Sequence, residues 1–111
     1  MIVEEIANKL NLTVFGGRNG LTKEVTFGYS SDLMSDVMGN ADAGNLWITL
    51  QTHRNVLAIA SLKELAGVVI VKGLRPDEDM LTQCEAENIP VLGTFDETFV
   101  ISGKLFQLLT T

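Results

Sequence analysis

The spacing of apolar residues changes along the chain, and its regular part begins at Leu46. Leu46 to Leu50 is a nearly unbroken apolar run of strand length, the mark of a strand covered on both faces. A helix is predicted from Asn55 to Leu65, with Asn55 as N-cap and Val56, Ile59, Ala60 and Lys63 on one side. Gly67 ends it, and Val68-Val69-Ile70-Val71 reads as a second buried strand. Pro76 suits a first helical position, and Asp77, Glu78 and Asp79 load that first turn with acid. This helix runs to about Glu87 and stops at Asn88 or Ile89. Pro90 to Thr94 is the next strand. Thr94 and Glu97 have capping-box spacing, ahead of a last helix with Phe99, Gly103, Phe106 and Leu109 on one face.

The first forty residues alternate less cleanly. Val3, Ile6, Ala7 and Leu10 fall at helical spacing, which predicts a helix over residues 2–10. Leu12 to Phe15 is a short strand stopped by Gly16-Gly17, and Arg18-Asn19-Gly20-Leu21 is turn chemistry. Val25, Phe27 and Tyr29 alternate with polar or small residues at strand period. Ser30-Ser31-Asp32 offers capping oxygens to a short helix, Leu33 to Met38, that Gly39-Asn40 would end. The strand order of this half stays open. The second half is strand–helix–strand–helix–strand–helix, which implies parallel pairing through right-handed crossovers. The expected fold is a single α/β domain over residues 1–111, mainly a parallel sheet with helices packed on it.

Composition narrows the function classes. Of 111 residues 46% are hydrophobic, enough for a core and too many for a disordered chain. No apolar run approaches the ~20 residues that span a bilayer. The start shows no basic region followed by an apolar one, so no signal peptide is visible. The lone Cys84 has no second cysteine for a disulfide or a metal knuckle, and a reducing cytoplasm is the expected location. The net charge is −6, from 14 acidic and 8 basic residues, and the basic residues are scattered. Nucleic acid and anionic membrane are therefore discounted as partners.

Chemistry is sparse. Ligands of open parallel sheets sit beyond the carboxyl ends of the strands. Three connections leave that edge, Gln51–Asn55, Lys72–Pro76 and Thr94–Asp96, beside helix N-termini that favour anions. The candidate ligand residues are Thr52, His53, Arg54, Lys72, Gly73, Arg75 and Thr94, and the bland reading makes them solvated loop residues and caps. His53, the only histidine, is a candidate general base or phosphoryl acceptor, though no nucleophile or orienting acid is visible beside it. Asp32 and Asp36 lie four apart, but nothing nearby completes a cation site. Leu33, Met34, Val37 and Met38 form a short apolar helix that suits either the core or an interface.

Three stretches carry a resemblance: Leu33-Met34-Ser35-Asp36-Val37-Met38-Gly39, then Trp47-Ile48-Thr49-Leu50-Gln51-Thr52-His53, then Lys72-Gly73-Leu74-Arg75-Pro76 with Ile89-Pro90-Val91-Leu92-Gly93-Thr94. In this order the chain resembles the DRTGG domain family, most of all its small stand-alone members. The resemblance implies an α/β accessory domain, often dimeric and without catalysis of its own. Such domains accompany CBS modules, precede a phosphotransacetylase domain, and are similar to the N-terminal domain of HPr kinase/phosphorylase. The kinase chemistry lies in another domain, and no phosphate loop of the G-x-x-x-x-G-K-[ST] type occurs here. The chain departs from the name-giving residues. Thr52-His53-Arg54-Asn55 stands where larger members carry Asp-Arg-Thr, and Val71-Lys72-Gly73 replaces Thr-Gly-Gly.

The expectation is a non-catalytic regulatory or protein-interaction module, dimerising, without cofactor or metal. It would sense a small anionic or nucleotide ligand or dock onto a partner enzyme. The alternatives are a small phosphotransfer protein using His53 and a purely structural dimerisation domain.

Overall fold

Three strands are buried at every position, and they lie side by side in the middle of one sheet. The computed structural model describes residues 1–111. In chain order it contains α1 (Val3–Lys9), β1 (Thr13–Gly16), a 3-10 turn at Arg18–Gly20, β2 (Phe27–Ser30) and α2 (Met34–Asn40). There follow β3 (Asn45–Thr49), α3 (Asn55–Leu62), β4 (Gly67–Ile70), α4 (Glu78–Glu87), β5 (Val91–Gly93) and α5 (Thr98–Thr110). The sheet order is β1-β5-β4-β3-β2, and only β1 runs antiparallel. The open question of the first forty residues is thereby answered: β1 and β2 occupy opposite edges.

Register turns apolar runs into two cores. Trp47, Val68 and Val91 pair across three strands and face one side, while Ile48, Val69 and Leu92 pair and face the other. The chain steps from β2 to β3, β4 and β5 in one direction, so right-handed crossovers place α2, α3 and α4 on the same face. The opposite face is covered from the two ends of the chain, by Val3, Ile6 and Ala7 of α1 and by Ile101 and Leu105 of α5. Each fully buried side chain of this kind contributes roughly 1.5–3 kcal/mol. Trp47 also donates its Nε1–H to the Ser31 carbonyl at 2.7 Å, which fixes the turn after β2 against β3.

Several boundaries differ from the periodic pattern, each for a local reason. α3 ends at Leu62 because Glu64 takes a left-handed φ of 55° two residues ahead of Ala66. Its N-cap is Arg54, not Asn55. α4 starts after Asp77, because the Asp77 N–H is held by the Thr52 carbonyl at 2.9 Å and Pro76 is buried before it. Thr94 caps no helix: its hydroxyl accepts the Asp96 N–H, and Glu97 is the N-cap of α5. Val25 precedes β2 rather than opening it. Gly39 and Asn40 belong to α2, whose C-cap is Ala41. Asp32 is no cap, because its carboxylate accepts the Thr49 hydroxyl at 3.0 Å and the Leu50 N–H at 2.8 Å. The apolar stripe Phe99–Gly103–Phe106 is real, but it faces solvent. Leu105 seats on β2 where a Cβ on Gly28 would approach it to 2.8 Å, and this turns Phe99 and Phe106 outward.

Two outcomes test this packing. Trp47→Ala should lower stability by about 3–5 kcal/mol, read as a shift of the urea midpoint with an unchanged slope. Cys84 is fully buried, and burial with the nearby Glu85 carboxylate pushes its thiol up to about 11. A thiol reagent at pH 8 should therefore leave native protein unlabelled and label it only on unfolding.

Candidate functional site

The carboxyl ends of β3, β4 and β5 release three loops, and backbone hydrogen bonds lock them together. Lys72 and Gly73 follow β4 in left-handed conformations, φ 62° and 71°. Their N–H groups donate to the Asp96 and Thr94 carbonyls, each at 2.9 Å, which clamps the β4 loop to the β5 loop. The Asp77–Thr52 bond ties the β3 loop to the same assembly.

β1 supplies one wall. Because β1 is antiparallel, Thr13 stands opposite Gly93 at this edge. Val14 pairs with Leu92 and Gly16 with Val91, so Phe15 is the extra residue of a bulge, and bulges re-aim side chains. The Phe15 ring lies across Gly93, in the space a Cβ would need, and the Arg75 guanidinium sits 4.9 Å above the ring centroid. On the other side, Phe95 covers Gly73 so closely that a Cβ there would meet its ring at 2.7 Å, yet Phe95 itself is 89% exposed. Between them is a cavity of about 300 Å³ lined by Thr13, Phe15, Gly73, Leu74, Arg75, Gly93, Thr94 and Phe95. Its walls carry one cation and no carboxylate.

The seven candidate residues divide accordingly. Gly73, Arg75 and Thr94 line this cavity. Lys72 is exposed beside it and, like Arg75, forms no ion pair. Arg54 belongs elsewhere, to an open groove between α3 and α4 that it shares with Ser61, Leu62, Gln83 and Glu87. Thr52 contributes its carbonyl to the loop clamp. His53 holds the Asp77 carboxylate through Nδ1 at 2.6 Å, with the imidazole largely exposed and Nε2 without a protein partner.

The remaining acids are engaged. Asp96 pairs with Lys104 at 2.8 Å, and Asp32 closes the end of β3. Hydrogen bonds from Ser31 and Tyr29 hold the Asp36 carboxyl below its usual range, and the same bond raises the Tyr29 hydroxyl. No three His, Cys, Asp or Glu side chains converge as a metal site. In the α2 segment, Leu33 is 63% exposed and Met38 partly so, Met34 is half-buried, and Val37 is fully buried in the core. Val37 is thus occupied by packing and is not an interface residue. The residues that sequence reasoning missed are Phe15, Phe95 and Asp77. Phe95 had a signal, a large apolar residue in a loop beside Thr94, whereas the bulge at Phe15 and the Asp77 contact had none.

Comparison with known proteins follows this geometry. The DRTGG domain matches residues 5–108. No curated protein matches the sequence. A crystal structure of the CBS and DRTGG domains of the regulatory region of Clostridium perfringens pyrophosphatase, complexed with the activator diadenosine tetraphosphate, has the same fold with a TM-score of 0.71 at 12% identity. The match covers 95% of this chain and 45% of that one, so this chain spans less than half the length of the protein it resembles. With the family match running from the first helix to the last, the chain belongs to the DRTGG domain family.

Proposed function

We propose that this chain is a non-catalytic regulatory module, a single domain over residues 1–111, that binds a small anionic or nucleotide ligand at the carboxyl edge of its sheet. The observation that carries this reading is the cavity beside β5, where Arg75 stands unpaired among walls that hold no carboxylate. A lone cationic pocket on a chain of net charge −6 is a local exception to the surface field. Thr94 and Gly73 would frame the ligand, Lys72 would stand at its mouth, and Thr52 and His53 would brace the adjoining loop. Family membership supports a regulatory role, as does the likeness to a region that regulates a pyrophosphatase and was crystallised with a nucleotide activator. By the same analogy the module acts on a partner enzyme, and the cytoplasm is its proposed location. No helix is long and apolar enough to cross a membrane.

The module is further proposed to work as a homodimer through the β2 edge. β2 has a partner on one side only, and edge strands template pairing. Exposed apolar side chains gather there: Phe27 against Phe106 with ring centroids 5.9 Å apart, and Leu33 and Met38 from the α2 side.

A second reading rests on one contact. The Asp77 carboxylate on Nδ1 fixes the His53 ring with Nε2 open to solvent, an arrangement suited to accepting a phosphoryl group.

Three outcomes test these readings. Titration with ADP, followed by amide NMR, should shift Gly73 and Thr94, and Arg75→Ala should weaken binding roughly tenfold, the worth of a charge-assisted hydrogen bond. No shift at millimolar ADP would end the nucleotide reading. Phe27→Asp with Phe106→Asp should convert a dimer to a monomer in sedimentation equilibrium, and a wild-type monomer at high concentration would remove the dimer. Incubation with acetyl phosphate should leave the intact mass unchanged, and an added phosphate that disappears in His53→Ala would favour the second reading instead.

A further inference from the structure

We propose that the cavity beside β5 is a slot for a planar heteroaromatic base, entered between the Arg75 guanidinium and the Phe95 ring. This rests on the nucleotide reading above and names the part of the ligand that the site recognises.

Four observations converge on it. First, Phe95 is 89% exposed on a loop whose backbone is clamped on both sides, so its apolar face is held rigidly in water. An aromatic ring fixed in that way is a stacking platform, and base–aromatic stacking tolerates many bases because each has a π-face. Second, Arg75 lies flat enough over Phe15 to make a cation–π contact at 4.9 Å. Its outer face is then a second platform, while its N–H edge remains free for a phosphate oxygen. Third, Gly73 and Gly93 sit under the two rings, where a Cβ would collide with Phe95 and Phe15. The two aromatic walls therefore require glycine beneath them. Fourth, Lys72 keeps a left-handed φ of 62° just before Gly73, a conformation rare for a side chain of that size and one that recurs at ligand sites.

Size and charge select the ligand. At about 300 Å³ the cavity stands at the lower end of small-molecule clefts, which run from roughly 300 to 1,000 Å³. It accommodates one base with its sugar rather than a whole dinucleotide. The absence of a carboxylate from the walls admits the phosphates at the mouth, near Lys72 and the Arg75 edge.

The test compares ADP with inorganic pyrophosphate on the full chain, by calorimetry and by amide NMR, for wild type, Phe95→Ala, Phe95→Trp and Arg75→Ala. Phe95 is almost wholly exposed, so its variants should keep the native circular dichroism spectrum. The expected result is that ADP binds more tightly than pyrophosphate and shifts Thr13, Gly73, Gly93 and Thr94. Phe95→Ala should weaken ADP roughly tenfold without changing pyrophosphate, and Phe95→Trp should restore ADP. If pyrophosphate matches ADP, or if Phe95→Ala leaves ADP unchanged while Arg75→Ala weakens it, the base slot is overturned and the anion site stands. If neither probe binds, the nucleotide reading falls, and the slot with it.

Discussion

The handedness of three consecutive crossovers determines where the rest of the chain goes. A strand–helix–strand step to a parallel neighbour is right-handed. Three such steps in one direction put α2, α3 and α4 on a single face and leave Leu46, Ile48, Val69 and Leu92 bare on the other. That bare face is what α1 and α5 exist to cover. Neither could do so alone: α1 supplies Val3, Ile6 and Ala7 near one edge, and α5 crosses to β2 with Ile101 and Leu105. The sheet is therefore closed by the two ends of the sequence.

The same arrangement builds the cavity. An open parallel sheet gathers its loops at one edge, but those loops carry mostly polar side chains. Here the antiparallel β1 brings a strand interior to that edge, and its bulge turns Phe15 over Gly93. Arg75 then has an aromatic surface to rest on instead of a carboxylate to pair with. The cavity chemistry thus depends on a register irregularity in a strand far away in sequence.

Much of the fold was legible because local and tertiary signals agree. The runs at Leu46 and Val68 are apolar on both faces since both faces are covered, and Asn88 ends α4 in the left-handed conformation its type favours. Legibility failed where a distant partner decided. The stripe Phe99–Gly103–Phe106 has helical period, yet the side of α5 that packs is chosen by Gly28 on β2. Thr94 and Glu97 have capping spacing, but the loop clamp to Lys72 and Gly73 delays the helix. Of the site, the strand ends pointed to Gly73, Arg75 and Thr94, whose location follows from topology. Arg54 was drawn away to another groove by the start of α3, and Val37 was claimed by the core. The partnership of His53 with Asp77 needed two loops to meet, which no spacing records.

The pairing of β1 with β5 also bears on how the chain is made. Thr13 and Val14 leave the ribosome early, but their partners Gly93 and Leu92 are nearly the last strand to be synthesised. At roughly 5–20 residues per second the wait is on the order of several seconds. During that interval the nascent chain can assemble β2 through β4 with their helices, each pairing being between neighbours in sequence, while β1 stays unpaired. Closure of the opposite face then awaits release of α5 from the exit tunnel. The N-terminal hydrophobic segment is thus exposed for most of translation, the period in which a trigger-type chaperone would have a surface to hold.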